Sequence, residues 1–149
     1  MADPMDEFSH PLKIEKRELC AMYHIKPRNK WAGRELVVDY DERFPLEQGF
    51  KNRYSYIVRF KEKGNCAGNH YHLDKAEIML PLAGDFEIRL EDIKTKKQEK
   101  IFVTAADNIA FYLPVGVSHA IKSLLDTGLI LMTASTPAQE SDIFPYPIV

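Results

Sequence analysis

The sequence has few cysteines, no excess of basic residues and no long apolar run. Two cysteines, Cys20 and Cys66, among 149 residues are too few to build a disulfide scaffold. The formal net charge of −2 leaves no positive surplus to hold a phosphate backbone, which argues against nucleic acid as a partner. No apolar run approaches the roughly 20 residues that span a bilayer, and the polar N-terminus lacks the apolar core of a secretion signal. We therefore expect a cytoplasmic protein with free thiols and no membrane partner.

The sequence also lacks the apolar period of an amphipathic helix. It has short strand-like runs separated by turns instead. They cover residues 36–38, 54–60, 77–82, 86–90, 101–103, 109–113, 119–123 and 129–135. Runs at this spacing predict an all-β sandwich or barrel. Pro81 interrupts one run and predicts an edge position or a bulge, because proline donates no ladder hydrogen bond. We expect an N-terminal arm over residues 1–30, partly flexible or exchanged between subunits, and one barrel domain over residues 31–149.

Two closely spaced histidines mark the segment that carries chemistry. His70 and His72 are two residues apart, so on a strand both side chains project from one face. Glu77 begins the next run, and His119 follows a Pro-x-Gly turn. Three imidazoles and one carboxylate that converge in a barrel mouth would hold a divalent transition metal and leave positions open for water or substrate. The alternative is a hydrogen-bonded polar core in which the same four groups bind no metal.

These residues match the first motif of the cupin family. The motif reads Gly, five residues, His-x-His, four residues, Glu, six residues, Gly, and it is complete here as Gly64, His70, His72, Glu77 and Gly84. The second motif is kept in part: its turn and histidine are present, whereas Asn108 and Ser123 replace its leading glycine and trailing asparagine. The chain thus resembles the cupins. The resemblance implies a double-stranded β-helix, or jelly-roll barrel, with its site in the barrel mouth.

Further segments resemble the small single-domain cupins of the sugar-nucleotide 3,4-ketoisomerase group. They are residues 34–38, 44–45, 51–58, 134–135 and Asp142. Members of that group act on dTDP-4-keto-6-deoxyhexoses in deoxysugar and surface-polysaccharide biosynthesis, so the resemblance implies a nucleotide-linked sugar as substrate. The group usually carries Arg-Gly-x-His-Ala-His, whereas residues 67–72 read Ala-Gly-Asn-His-Tyr-His and lack the arginine. This version is more like the metal-carrying cupins attached to capsule-synthesis reductases.

We expect a keto-sugar-nucleotide isomerase or epimerase that works by proton transfer. Moving a ketone between neighbouring sugar carbons needs a base, an acid and a group that holds the enediolate charge. A histidine can move the proton near pH 7, and a metal or a tyrosine hydroxyl can hold the oxyanion. These roles compete, because a nitrogen that binds metal cannot also be the base. With metal, the base lies outside the cluster His70, His72, Glu77 and His119; without metal, His70 or His72 is the base by resemblance.

Three side chains around residues 53–59 are candidates for substrate contacts. Tyr56 matches a tyrosine of the ketoisomerases, so its hydroxyl is expected to reach the sugar ring, with plain core packing as the alternative. Arg53 and Arg59 take the opposite strand face, where guanidinium groups suit a diphosphate. Ordinary surface arginines are the alternative for both.

The remaining expectations concern cofactor, assembly and competing functions. We expect a divalent transition metal (Zn, Fe, Mn or Ni) and no organic cofactor. A homodimer is expected because similar small cupins dimerise and because Trp31 is a large side chain that needs burial. Two other functions stay open: a cupin dioxygenase that uses Fe(II) or another metal, and a non-catalytic module that binds a sugar or another small ligand. Oxygen uptake would favour the first, and affinity without turnover the second.

Overall fold

The computed structural model describes residues 13–28, 31–41 and 49–149. Within these ranges the chain consists of short strands and two single-turn 3₁₀ helices, Ala105–Asp107 and Glu140–Asp142. The strands are β1 (Lys13–Lys16), β2 (Ala21–His24), β3 (Tyr54–Phe60), β4 (Cys66–Tyr71), β5 (Glu77–Ala83), β6 (Asp85–Asp92), β7 (Gln98–Thr104), β8 (Ile109–Leu113), β9 (Val117–Ser123), β10 (Gly128–Ala134) and β11 (Phe144–Pro145). No helix in this part of the chain is long and apolar enough to cross a membrane.

The strands form two antiparallel sheets with non-sequential neighbours. The six-stranded sheet has the order β1-β2-β8-β5-β10-β3, and the five-stranded sheet has the order β11-β4-β9-β6-β7. β9 lies between β4 and β6 and places His119 opposite His70. Antiparallel strands that alternate between two sheets in this way are typical of a jelly roll. The all-β prediction is confirmed.

An inner core fills the space between the sheets, and a second core lies on the outer face of the six-stranded sheet. Phe86, Ile88 and Phe111 are fully buried in the inner core. β5 contributes to both cores, because Met79 points inward and Ile78 points outward. This explains why the run that became β5 is almost continuously apolar rather than alternating. Each buried side chain of this size contributes about 1.5–3 kcal/mol.

Pro81 lies at an irregularity in a central strand. β5 lies between β8 and β10, but its pairing with β8 ends at Met79, so β10 is the strand that pairs with Pro81. The register with β10 shifts here, because Ile130 pairs with Pro81 and Leu129 pairs with Ala83. A bulge accommodates a residue that cannot donate a ladder hydrogen bond. The structure therefore has the predicted bulge, and Pro81 also lies beyond the part of β5 that pairs with β8.

Part of the predicted N-terminal arm forms two strands. Residues 13–24 form β1 and β2, and β2 pairs with β8 of the same chain. Cys20 and Met22 are buried between the sheets. The sequence did not reveal these strands because four residues are too few to display alternation. Residues 1–12 and 29–30 of the predicted arm lie outside the described residues.

The segment that follows also departs from the prediction. The expected strand at residues 36–38 is reduced to one antiparallel bridge between Arg28 and Leu36. Trp31 is 38% exposed, and the Arg34 guanidinium lies 4.9 Å from the centre of its ring. The indole is therefore only partly covered within one chain. Residues 44–45, which contributed to the resemblance, lie outside the described residues.

The two cysteines differ in burial, which predicts different thiol reactivity. Cys20 is buried, and burial raises the pKa of its thiol to about 12, whereas Cys66 is partly exposed. Because the thiolate is the reactive species, we expect a disulfide reagent such as DTNB to modify one thiol of the native protein rapidly and the second only after unfolding. Cys66→Ser should remove the rapid phase. A rapid reaction of the native Cys66→Ser variant would contradict the burial of Cys20.

Candidate metal and active site

Four polar side chains from separate parts of the barrel converge between the sheets. His70 lies in β4, His72 directly after it, Glu77 at the start of β5 and His119 in β9. One ligand atom from each residue lies within 4.8 Å of all the others. His72, Glu77 and His119 are buried, whereas His70 is partly exposed. The structure thus brings together the four predicted metal ligands and leaves one side of the cluster open toward solvent.

A bulge in β4 sets the position of this cluster. The register between β4 and β9 shifts between Gly68 and His70. Gly68 and Asn69 both have positive φ, 92° and 60°, a conformation suited to glycine and tolerated by asparagine. A Cβ atom on Gly68 would lie 2.4 Å from the carbonyl oxygen of His119, so a side chain has no room there. The Asn69 side-chain oxygen accepts hydrogen bonds from two backbone N–H groups of the C-terminal tail, which fixes the bulge from outside.

Glu77 makes contacts on both of its carboxylate oxygens. Oε1 lies 3.2 Å from His72 Nε2 and 3.6 Å from His119 Nε2. Oε2 accepts a hydrogen bond from the Tyr56 hydroxyl and lies 3.8 Å from the Lys75 Nζ. Burial works to raise the pKa of Glu77, but its contacts with His72, His119, Tyr56 and Lys75 together outweigh burial, and the pKa falls to about 2. Glu77 is therefore a carboxylate at neutral pH.

The contact between His72 and Glu77 tests whether the cluster fits a metal. His72 Nδ1 lies 2.7 Å from the Asp142 carbonyl oxygen, so this nitrogen donates its proton there. In the neutral imidazole, Nε2 then carries a lone pair directed at Glu77 Oε1. Both atoms are buried, and neither has a hydrogen-bond partner within the described part of the chain. Two buried acceptors repel each other unless a proton or a cation lies between them.

The donor set of the cluster suits a divalent transition metal. Imidazole and carboxylate ligands are those that Zn, Fe, Mn and Ni accept. Metal-binding histidines usually donate their second ring proton to a carbonyl or carboxylate oxygen, as His72 does to Asp142. The three imidazole rings face one another, with centroids 4.8 to 5.7 Å apart. The residues present therefore fit a metal ion.

Burial favours the neutral form of His70 and His119. It lowers the pKa of His119 to about 4. Burial, together with the neighbouring His72, also lowers the pKa of His70. A neutral imidazole can either bind a metal or accept a proton. His70 is the one of the three that solvent reaches, so it is also the one that a ligand in the mouth could approach.

Asp142 holds the turn that joins the two halves of the cluster. Its carboxylate accepts hydrogen bonds of 2.9 to 3.1 Å from the backbone N–H groups of residues 73–75. Burial works to raise the pKa of Asp142, but these hydrogen bonds outweigh it and lower the pKa. The backbone carbonyl of the same residue orients His72. Asp142 therefore positions both His72 and Glu77, which lie at the two ends of the turn.

The other predicted site residues lie in different places. Tyr56 points into the barrel, where burial and the charge of Glu77 raise the pKa of its hydroxyl above the ordinary value of 10. Arg59 is exposed on the opposite face of β3. Arg53 lines a cavity of about 400 Å³ with Phe50 on the outer side of the six-stranded sheet. The structure thus brings Tyr56 to the cluster and brings neither arginine to it.

Sequence reasoning missed Lys75 and the role of Asp142 at the site. Lys75 was not singled out, although its side chain is only 8% exposed beside Glu77. Because lysine side chains are almost always exposed, the sequence gives no indication that this one is buried. Asp142 was noticed only through the resemblance, and its hydrogen-bonding role depends on contacts 67 to 70 positions away along the chain.

We predict that Asp142→Asn weakens the site without unfolding the protein. An amide places a donor where the carboxylate accepts backbone N–H groups, so the turn carrying His72 and Glu77 should loosen. We expect a loss of about 1–3 kcal/mol in unfolding free energy and a loss of about 10–100-fold in metal affinity. Denaturant unfolding and a Zn²⁺ titration measure the two effects.

Asp126→Asn is the matched control, because Asp126 also accepts a backbone N–H group but lies in an exposed turn. It should leave the metal affinity unchanged. A folded Asp142→Asn variant that binds Zn²⁺ as tightly as the wild type would contradict the positioning role of Asp142.

Comparison with known protein families identifies a family for this chain. A family model described as "Polysaccharide biosynthesis C-terminal domain" matches residues 48–141, which is more than half of the chain. Among curated proteins, no sequence matches this chain.

Solved structures of low sequence identity share the fold. The dTDP-4-dehydrorhamnose 3,5-epimerase of Bacillus anthracis, with TDP and PPi bound, has a TM-score of 0.77 at 11% identity, over 92% of this chain and 91% of the other. A mutant of the 3,4-ketoisomerase of Thermoanaerobacterium thermosaccharolyticum, in complex with TDP-4-keto-6-deoxyglucose, has a TM-score of 0.73 at 16% identity, over 87% and 89%. The TDP-fucose-3,4-ketoisomerase of Campylobacter jejuni has a TM-score of 0.70 at 17% identity, over 84% and 87%. These likenesses confirm the predicted cupin jelly roll.

Proposed function

We propose that this chain, which belongs to the polysaccharide biosynthesis C-terminal domain family, is a sugar-nucleotide isomerase or epimerase. The observation that carries the proposal is the buried cluster around Glu77, with the Tyr56 hydroxyl on the same carboxylate. The activities named for the structurally similar proteins, 3,5-epimerisation and 3,4-ketoisomerisation of dTDP-sugars, support the same reaction class. Both reactions move a proton on a carbon beside a ketone, which is the chemistry this cluster can serve.

The four clustered residues are the proposed metal ligands. The two facing acceptor atoms of His72 and Glu77 support this assignment, because a cation between them would relieve their repulsion. When bound, a divalent metal would supply positive charge that stabilises a negatively charged sugar oxygen. Asp142 would hold His72 with Nε2 directed toward the metal, and the partly exposed His70 would mark the side from which the sugar enters.

Tyr56 is the proposed proton donor at the mouth. Because burial and the charge of Glu77 raise the pKa of its hydroxyl, the phenol stays protonated at neutral pH. Its single proton is donated to Glu77 Oε2 in this structure, so the hydroxyl must turn from Glu77 to donate to the sugar oxygen, and it is a poor base.

The base depends on whether metal is bound. With metal, the three imidazoles use their lone pairs as ligands, so the proton acceptor is a group outside the cluster. Without metal, His70 is the best candidate among the four residues, because it is neutral and partly exposed. His70→Ala distinguishes the two cases. If the wild type is purified with metal, loss of metal content in the variant supports the ligand role; if the active wild type contains no metal, loss of turnover supports the base.

The nucleotide part of the substrate has weaker support. Arg53 lines a cavity near the turn that carries Asp74, and it remains our candidate for a diphosphate contact. Nothing in the geometry supports Arg59, which faces away from the barrel interior. The homodimer and the cytoplasmic location stay predictions. Exposed apolar side chains such as Ile57, at 52% exposure, are consistent with a surface covered by a second subunit.

We predict that Tyr56→Phe lowers turnover of the metal-saturated protein by about 10²–10³-fold, because the change removes the donor. It also removes a hydrogen bond to Glu77, so metal is supplied in excess to keep the variant loaded. The assay is conversion of dTDP- and UDP-linked keto-sugars, with products identified by NMR and metal measured by elemental analysis. Tyr54→Phe is the matched control, since Tyr54 lies on the same strand with its ring centroid 5.3 Å from that of Tyr56, yet its side chain is more exposed. It should retain activity.

Other outcomes would contradict the proposal in different ways. A wild type that is inert on every keto-sugar nucleotide, but binds them, would indicate a non-catalytic binding module. Oxygen uptake by an Fe(II)-loaded protein would indicate a dioxygenase. Full activity of Tyr56→Phe would show that the proton donor lies elsewhere.

A further inference from the structure

Lys75 is a buried cation that the proposed chemistry does not use. It lies in the turn between β4 and β5, where its backbone N–H donates to Asp142 Oδ2 at 3.0 Å. Its side chain is 8% exposed, and its Nζ lies 3.8 Å from Glu77 Oε2 and 5.8 Å from the centre of the Tyr56 ring. Lysine is almost never buried without a charged partner. Within the described residues, Glu77 is the carboxylate that pairs with this ammonium.

The Glu77 carboxylate faces positive or metal-binding groups on both sides. Oε1 faces the imidazole nitrogens of His72 and His119, and Oε2 faces Lys75 and the Tyr56 hydroxyl. One carboxylate carries one negative charge. A divalent cation on the Oε1 side therefore leaves a surplus of positive charge close to the ammonium, and like charges this close in a buried site disfavour each other.

We infer that Lys75 is the internal counter-ion of Glu77 and that it competes with a divalent metal for this carboxylate. In the metal-free protein the ammonium neutralises Glu77 and keeps a buried, charged cluster stable. Metal binding weakens the attraction between Lys75 and Glu77, and this cost lowers the metal affinity of the site. Lys75 is thus a positioning residue that tunes metal binding. The inference rests on the proposed metal centre, in which Glu77 is a ligand.

The first test measures Zn²⁺ affinity by competition with a chromophoric chelator and needs no substrate. Lys75→Met removes the charge and keeps much of the apolar stem. We expect it to bind Zn²⁺ about tenfold or more tightly than the wild type, because the competing cation is gone. Lys75→Arg keeps the charge and should bind within about threefold of the wild type. If Lys75 served only to support the turn, Lys75→Met would bind Zn²⁺ more weakly than the wild type. Weaker Zn²⁺ binding by this variant therefore overturns the inference.

The second test measures the pair itself in the metal-free protein. We expect Lys75→Met to lower the Tm by about 5 °C or more, because it leaves the Glu77 carboxylate buried without its counter-ion. In a Glu77→Gln background the same change should have a much smaller effect. Equal effects in both backgrounds overturn the counter-ion role. If Lys75→Met does not fold, Lys75→Gln takes its place in both tests.

The two tests separate this inference from the proposed function. A wild type that binds no Zn²⁺ overturns the metal centre and the competition for it, even when the stability cycle shows the pair. A wild type that binds Zn²⁺, with equal or weaker binding by Lys75→Met, overturns the competition alone and leaves the metal centre standing.

Discussion

The buried carboxylate of Glu77 is the constraint on which the arrangement of the barrel mouth depends. Its side chain is 1% exposed, and moving a carboxylate out of water costs several kcal/mol unless nearby charges and hydrogen bonds compensate. Tyr56 and Lys75 compensate on one oxygen. The other oxygen, Oε1, faces the imidazoles of His72 and His119. These rings offset the cost of burying the charge fully only if a proton or a cation lies between them and the carboxylate. The metal ion proposed for the site would complete this compensation.

The fold meets this constraint by placing rigid elements around one carboxylate. Glu77 begins β5, a central strand whose inner and outer faces are both buried, so its position is fixed by packing on two sides. The bulge at Gly68 allows β4 to approach β9 closely enough for His70 to lie opposite His119. Asp142, from the C-terminal region, fixes the turn after His72. Each cluster residue is therefore held by an element that is itself well packed or hydrogen-bonded.

The sequence predicted the parts of the site that depend on local spacing. His70, His72 and Glu77 lie within one strand, one turn and the start of the next strand, where side-chain direction follows from the two-residue period. It could not predict that Lys75 is buried or that Asp142 caps the turn, because both depend on contacts between distant segments. It also missed β1 and β2, whose four residues each show no alternation and are held by pairing with β8. The sequence also could not show whether Arg59 contacts the substrate. The alternation of side chains along a strand defines two faces, but it does not indicate which of them lines the site.

The central claim is that the cluster around Glu77 holds a divalent metal at the mouth of the barrel. A crystal structure of cobalt-loaded protein, with anomalous diffraction recorded on both sides of the cobalt absorption edge, tests it most directly. The account predicts one strong anomalous peak bonded to nitrogens of His70, His72 and His119 and to a Glu77 oxygen, at about 2.0–2.2 Å. A protein that takes up no cobalt, or a peak bonded to other residues while the His72–Glu77 contact stays as it is, would contradict it.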